Sequence, residues 1–326
     1  MVKPDSILII LKVMSKKGKH SRITAIFLAL FVVFLWATSW VLIKIGLQDI
    51  PPLTFAGLRY TLAFLCLLPA MALTRGNYRL RMIPGRTIGR LVLLGLLLYA
   101  CTQGAAFVAL SILPAITVNL FMSFTNVLVA LLGVAFLAEI PTRLQWAGVV
   151  LATTGAMVYF YPAALVGSQL AGTLVVIFAV ISNAVAAILG RDINRSAGLH
   201  PLVVTVISMG AGAIVLLLAG IATQGMPPIA ARNWAIIAWL AVVNTAFAFT
   251  LWNYTLRTLT AVESSMIYST MLIWIPLLAV VFLDEQVTRK EIFGLVMAGA
   301  GTLMVQMRSA AIIPKWFNLL NTDKTD

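Results

Sequence analysis

The sequence contains few charged residues, which limits the kind of protein that it can form. Lys, Arg, Asp and Glu make up 10% of its 326 residues, whereas hydrophobic residues make up 61% and the mean hydropathy is +1.02. Soluble domains carry about 25% charged residues, so water cannot be the main solvent of this chain. At about 20 apolar residues per membrane span, the length accommodates about ten spans and no soluble domain of ordinary size.

Residue types that carry catalysis or bind metals are also scarce. His20 and His200 are the only histidines, and no Cys, His and carboxylate cluster has metal-ligand spacing. No paired carboxylates and no nucleophile next to a base are evident. Cys66 and Cys101 lie within apolar runs, so neither a disulfide framework nor redox chemistry is indicated. We therefore expect no enzyme activity, no bound metal and no cofactor.

No acidic residue falls at the middle of an apolar run. Glu263 comes nearest, in the first turn of a predicted helix, where a carboxylate also suits the helix dipole. Carboxylates near the membrane midplane are typical of proton relays in transporters. Uniport, or coupling by an unidentified route, is therefore the simpler expectation.

The apolar runs predict an all-α integral membrane protein of ten transmembrane helices. We place the helices at residues 23–45, 53–73, 88–110, 114–137, 143–161, 170–189, 201–221, 234–255, 261–283 and 290–308. With both termini in the cytoplasm, 18 Lys and Arg lie on the inner side and 4 on the outer side, as the positive-inside rule requires. The basic segment 1–22 and the tail 309–326 are then both cytoplasmic.

The N-terminal segment does not have the order of a signal peptide. Its short apolar run at residues 7–11 precedes the basic residues instead of following them, which argues against a cleaved signal. Met14 is an alternative start to Met1.

The second half of the sequence repeats the first at an offset of 146 residues. The pattern Glu-x-x-Thr-Arg occurs at Glu139–Arg143 and again at Glu285–Arg289. This offset divides the chain into two five-helix units, residues 23–161 and 170–308. Because five is odd, the second unit must enter the membrane upside down. Inverted repeats of this kind recur in secondary transporters, whose binding site lies near the midplane between the halves.

Several segments carry a resemblance to a known family. They are LWATSWVLIKIGL from Leu35, with Trp36 and Lys44; PPLTFAGLRYTLAFLCLLP from Pro51, with Arg59; and the fourth and fifth helices, with Glu139, Gly148 and Gly155, repeated as Glu285, Gly294 and Gly301. In these features the chain resembles the drug/metabolite transporter superfamily, and within it the ten-helix EamA-type transporters.

The resemblance implies export of small metabolites, often amino acids or drugs, by alternating access across the plasma membrane. The chain departs from the family pattern in its fourth and ninth helices. Asn126 and Leu272 stand where the family often has Pro, and the ninth helix has a displaced Pro276. The resemblance therefore does not supply a substrate.

Polar and aromatic side chains inside the predicted spans form a candidate substrate pathway, because such groups are costly in lipid unless they are paired or face water. Those in the fourth span share one helical face. The pathway residues are Trp36, Ser39, Trp40, Tyr99, Gln103, Asn119, Ser123, Asn126, Asn183, Asn244, Trp252, Ser265, Tyr268 and Ser269.

Each of these residues also has a structural interpretation. Hydrogen bonds between membrane helices contribute about 0.6 kcal/mol each, and Trp36 and Trp40 could belong to an interfacial aromatic belt. Arg59 either snorkels to the outer interface or reaches a carbonyl or a substrate carboxylate. Glu263 is either a substrate-charge residue or a structural one. Glu139 and Glu285 are expected to cap the helices that follow them, and Lys44 to anchor the outer interface.

The predicted function is a carrier for a neutral or zwitterionic solute with an apolar body, such as an amino acid or a drug-like compound. A passive channel is the alternative. The expected partners are this small molecule and the lipid bilayer. Nucleic acid is not expected, because topology already explains the basic loop between Arg75 and Arg90. Nothing specifies an oligomer, and a monomer would suffice.

Overall fold

The computed structural model describes residues 22–73, 83–137, 142–161, 167–196, 199–256, 258–259 and 261–307. Within these ranges the chain forms ten helical rods and no strand: α1 Arg22–Gly46, α2 Pro52–Leu73, α3 (Gly85–Gly95, Leu96–Gln103, Gly104–Ile112), α4 Ala115–Leu137, α5 Arg143–Phe160, α6 Ser168–Ser196, α7 Pro201–Gln224, α8 (Ala231–Ala241, Val242–Phe247, Ala248–Thr255), α9 (Ala261–Ser269, Met271–Leu283) and α10 Arg289–Gln306. The predicted N-terminal segment up to residue 21, the tail from 308 and the turn at Glu139 lie outside the described residues.

The all-helical membrane class predicted from the sequence is confirmed. Among the described residues, 8 helices are long and apolar enough to cross a membrane, and α5 and α10 are the two rods outside that set. Most helices begin and end within a few residues of the predicted bounds. The main difference is α6, which continues to Ser196, beyond the predicted end at residue 189.

Helices α5 and α10 begin with the same capping arrangement at equivalent positions. Thr142 accepts from the Gln145 backbone N–H, and the Gln145 side chain accepts from the Thr142 N–H in return. Thr288 and Glu291 make the same reciprocal pair at the start of α10. Each box satisfies two amide groups that have no partner within the helix, which fixes where both helices start.

The same two helices pack against each other, and they run antiparallel. A Cβ placed on Gly148 would lie 2.7 Å from the Gly301 carbonyl oxygen, and one on Gly155 would lie 2.7 Å from that of Gly294. Residue numbers thus rise along α5 as they fall along α10. Small residues allow this close backbone approach, as they do at other membrane-helix contacts.

Helices α2 and α7, the second helix of each half, also pack antiparallel. A Cβ on Gly57 would lie 2.5 Å from the Leu217 Cα, and one on Gly220 would lie 2.6 Å from the Thr54 nitrogen. Two halves related by an axis along the membrane normal would place such equivalent helices parallel. The packing therefore matches an axis in the membrane plane, which an inverted repeat requires.

The third helix of each half contains a π-helical segment at the same place in the repeat. Leu96–Gln103 lies within α3 and Val242–Phe247 within α8, and residues 96 and 242 are separated by the repeat offset. Thr102 Oγ1 donates to the Leu97 carbonyl and Thr245 Oγ1 to the Leu240 carbonyl, each at 2.8 Å and five residues back. Segments of this kind are frequent at functional sites.

The cap expected of Glu285 is wrong, and Lys44 makes contacts within the protein. Glu285 accepts from the backbone N–H groups of Ala115 and Ile116, at 2.5 and 3.1 Å, so it caps α4 of the other half instead of α10. The box described above already serves α10. Lys44 Nζ donates to the carbonyls at the end of α3 and just beyond it, Leu110 and Leu113, each at 2.6 Å, and its place at the outer interface stays a prediction.

Candidate functional site

A cavity of about 460 Å³ lies between the two halves. This volume is within the usual range of small-molecule sites. It is lined from α1, α2, α3 and α4 of the first half and from α6, α8 and α9 of the second. The predicted pathway residues that line it are Trp36, Ser39, Trp40, Tyr99, Gln103, Asn119, Ser123, Asn126, Asn183, Asn244, Trp252, Tyr268 and Ser269.

The structure thus brings widely separated residues to one site, and their role in a substrate pathway stays a prediction. Ser265 is the exception, because its side chain lies outside the described part of the chain.

Equivalent positions of the two repeats line the same cavity. The lining residues separated by the repeat offset are Leu98 and Asn244, Gln103 and Phe249, Ala106 and Trp252, Met122 and Tyr268, Ser123 and Ser269, Thr125 and Met271, and Asn126 and Leu272. The cavity is therefore built around the pseudo-symmetry between the halves. Only the serine pair is identical, so equivalent positions of the two halves differ in chemistry.

One wall of the cavity is aromatic and is formed where α1 of the first half meets α8 and α9 of the second. Trp36 of α1 lies against Phe249, Trp252 and Tyr268, with ring centroids 5.3, 5.2 and 6.0 Å apart. Such spacings allow tilted and edge-to-face contacts, which contribute about 0.5–1.5 kcal/mol per pair beyond burial. This wall offers a large apolar surface to a ligand.

Trp36 also binds the π-helical segment of α8. Its Nε1 donates to the Asn244 carbonyl at 3.1 Å, and the Asn244 side-chain nitrogen donates back to the carbonyl of Leu35. The same nitrogen lies 3.3 Å from Thr38 Oγ1. These bonds connect α1 to α8 and hold Trp36 within the protein, so it does not belong to an interfacial aromatic belt.

Uncharged polar side chains from both halves also line the cavity. Asn183 Nδ2 donates to Thr125 Oγ1 at 3.3 Å. Ser39 and Ser123 each donate their hydroxyl to a carbonyl three residues back, so their oxygen lone pairs stay available as acceptors. Asn119 is buried and its side-chain nitrogen has no partner among the described residues.

Arg59 lines the cavity and is 6% exposed, so it does not snorkel to an interface. Its Nη2 lies 3.4 Å from Thr245 Oγ1 of α8. Its guanidinium carbon lies 5.1 Å from the ring centroid of Tyr60 and 6.0 Å from that of Phe107. Both distances permit cation–π attraction.

Glu263 lies outside the cavity lining. Its Oε1 accepts from Arg22 Nε at 2.7 Å, and this ion pair joins the N-terminal ends of α1 and α9. Of its two interpretations, the structure therefore favours the structural one.

Several lining residues were missed from the sequence because they are apolar, among them Ile43, Leu98, Ala106 and Phe107. The repeat offset contained part of the missing signal. Counting back 146 residues from Asn244 and Trp252 gives Leu98 and Ala106. No comparable signal points to Ile43 or Phe107.

Comparison with known proteins gives a consistent result. The profile of the EamA-like transporter family matches residues 23–161 and again 170–307. The chain is 26% identical over 254 residues to the uncharacterized inner membrane transporter YedA of Escherichia coli K12, covering 73% of this chain and 76% of YedA. It is 24% identical over 290 residues to the uncharacterized transporter YoaV of Bacillus subtilis 168, covering 84% of this chain and 93% of YoaV.

A protein of known crystal structure has the same fold. It superposes with a TM-score of 0.63 at 18% identity, covering 87% of this chain and 98% of its own.

Proposed function

The chain belongs to the EamA-like transporter family and is a multi-pass protein of the plasma membrane. We therefore propose that it is a secondary carrier that exports a small metabolite by alternating access. Its family points to transport instead of enzyme activity. A small-molecule substrate and the lipid bilayer are the only partners that the proposal needs, and a monomer suffices.

One observation carries the proposal: the cavity is lined by equivalent positions of two antiparallel halves. In an inverted repeat, exchanging the conformations of the halves turns an opening on one side of the membrane into an opening on the other. A site on the pseudo-symmetry axis remains in contact with both halves throughout. This geometry supports a carrier more than a fixed pore.

The lining supports a neutral or zwitterionic substrate with an apolar body, such as an amino acid or a drug-like compound. The aromatic wall around Trp36 and Trp252 favours an apolar group. Asn126 and Gln103, which also line the cavity, offer hydrogen bonds without fixed charge.

The proposed topology has ten spans, with both termini in the cytoplasm. α5 and α10 then cross as an antiparallel pair whose polar ends are capped by Thr142 and Thr288. Accessibility labelling of single cysteines in the turns at Glu139 and Glu285 tests this arrangement. The Glu139 turn should react only from the cytoplasmic side and the Glu285 turn only from outside. Labelling of both turns from one side contradicts the proposal.

Transport is tested with purified protein in liposomes and a panel of amino acids and drug-like compounds. A carrier gives saturable uptake that is accelerated by unlabelled solute on the opposite side. Unsaturable flux far above carrier turnover would identify a passive channel instead. Absence of exchange with every solute would contradict the carrier.

Matched variants test whether the cavity is the pathway. Trp36→Ala and Asn126→Ala should lower exchange at least about tenfold, because each removes a lining group. Trp234→Ala and Asn194→Ala are controls of the same residue types at exposed positions, and they should exchange as the wild type does. Equal exchange by all four variants would show that the pathway lies elsewhere.

A further inference from the structure

Arg59 is the single charged residue among the described residues that line the cavity. An arginine side chain carries one positive charge. The cavity therefore carries a positive charge that no lining carboxylate neutralises. Removing such a charge from water is costly unless other groups pair with it.

The fold leaves this cation with few hydrogen-bond acceptors. Within the described ranges its one hydrogen bond is the long contact of 3.4 Å to Thr245 Oγ1, and its Nε has no partner. No carboxylate of those ranges lies within ion-pair distance of it. The rings of Tyr60 and Phe107 attract the charge but accept no conventional hydrogen bond.

Lys44 shows how the same fold treats a cation with a structural role. It lies outside the cavity lining, and its ammonium donates to two helix-end carbonyls at 2.6 Å each. An arginine kept only to connect helices is expected to have its donors met in the same way. Arg59 differs from Lys44 on this point.

We infer that the substrate carries a carboxylate and that this group binds Arg59. A planar guanidinium can donate two parallel hydrogen bonds to a carboxylate, which adds both binding energy and a defined orientation. This inference rests on the proposed carrier function and narrows its substrate class to zwitterions and acids, so solutes with only a positive charge are excluded.

Two further lining groups are consistent with a zwitterion. Asn119 Nδ2 is a second buried donor without a partner, and Asn244 Oδ1 is a buried acceptor without one in the described part of the chain. Asn244 directly precedes Thr245, the residue that Arg59 contacts. A carboxylate would supply the acceptor that Asn119 Nδ2 lacks and an adjacent ammonium the donor that Asn244 Oδ1 lacks, once these buried side chains turn toward the cavity.

The test compares each of the common L-amino acids with its primary amide, which keeps the ammonium and loses the carboxylate. Thermal stabilisation of the full-length protein in detergent is the readout. The acids that stabilise the wild type should lose at least about tenfold in apparent affinity as amides. Arg59→Gln should abolish the difference in apparent affinity between acid and amide. Arg59→Lys should reduce this difference, because it keeps the charge but cannot donate two parallel hydrogen bonds.

Lys44→Gln is the matched control, because it removes a cation whose acceptors lie within the protein. It should lower the unfolding temperature and keep the preference for acids. Amides that stabilise the wild type as well as the acids do, or no stabilisation by any acid, would overturn the inference. So would an undiminished acid preference in Arg59→Gln. If Arg59→Gln does not fold, the wild-type comparison and Arg59→Lys still decide.

Exchange in liposomes separates this inference from the carrier proposal. Acids that stabilise the protein without being exchanged would leave the carboxylate site intact and contradict the carrier. Exchange of amides and acids at equal rates would support the carrier and contradict the carboxylate site.

Discussion

Gly301→Ala tests the close contact between α5 and α10. A Cβ at this position would lie 2.3 Å from the Ala152 nitrogen and 2.6 Å from the Gly148 carbonyl oxygen. Contacts of a Cβ below 3.0 Å are essentially never observed, so the helices would have to separate locally by about 0.7 Å. Both atoms belong to helix backbones and cannot rotate away.

Gly299→Ala on the same helix is the control that isolates this steric cost. Its Cβ would meet Leu272 Cδ1 at 3.7 Å, an ordinary contact. Either substitution gains about 0.5–1 kcal/mol in helix propensity, so the gain cancels between them. The remaining difference is the overpacking cost of about 1–3 kcal/mol, together with dispersion lost where the helices move apart.

Reversible unfolding in mixed detergent micelles measures this difference. We expect Gly301→Ala to be less stable than the wild type and Gly299→Ala to be at least as stable. Gly148→Ala, which meets the Gly301 oxygen from the other helix, should behave as Gly301→Ala does. Equal stability of the Gly301 and Gly299 variants would refute the close backbone approach on which the antiparallel packing of these helices rests.

Three further predictions use the same preparations. Glu285→Gln should cost about 0.5–2 kcal/mol of unfolding free energy, because the N-terminus of α4 loses its anionic cap; unchanged stability would contradict that role. Thr288→Ala should cost a similar amount through the capping box of α10, and a fully stable variant would show that the box is dispensable. The double substitution Asn126→Leu with Leu272→Asn keeps the residue composition of the lining but moves the amide from the first half to the second. It should weaken solute exchange at least about tenfold, and wild-type exchange would contradict a fixed substrate orientation.

The positions of the helices could be predicted from the sequence because lipid imposes a simple pattern. Long apolar runs bounded by charges, Pro or Gly mark where backbone can cross without water. For example, the helix predicted at residues 201–221 corresponds to the observed helix Pro201–Gln224. The repeat offset added which helices are equivalent, and the antiparallel contacts of α5 with α10 agree with its consequence.

The partners of individual side chains could not be predicted in this way. Glu285 follows α9 and precedes α10, so local sequence favoured a cap on α10. Thr288 and Glu291 already meet the first amides of that helix, while the N-terminus of α4 lies within reach of the Glu285 carboxylate. Tertiary packing decides which helix ends come together, and no local sequence pattern indicates it.

The π-helical segments were missed for a related reason. Leu96–Gln103 contains no Pro and no other residue that would mark a change of helix type. The recurrence of such a segment in α8 at the repeat offset indicates an inherited feature, yet the residues there are different. Contacts that surround such a segment, such as that of Trp36 with the Asn244 carbonyl in α8, form only in the folded protein and cannot be read from the sequence.

The two copies have diverged to different extents in different parts of the structure, and the reason is physical. Where backbones touch, as at Gly148 and its equivalent Gly294, any side chain would clash, so both copies keep glycine. Where side chains face the cavity, a change of residue type alters chemistry without disturbing the packing of helices. Gln103 can thus correspond to Phe249, and Asn126 to Leu272. A symmetric frame consequently encloses a cavity in which equivalent positions of the two halves carry side chains of different chemistry.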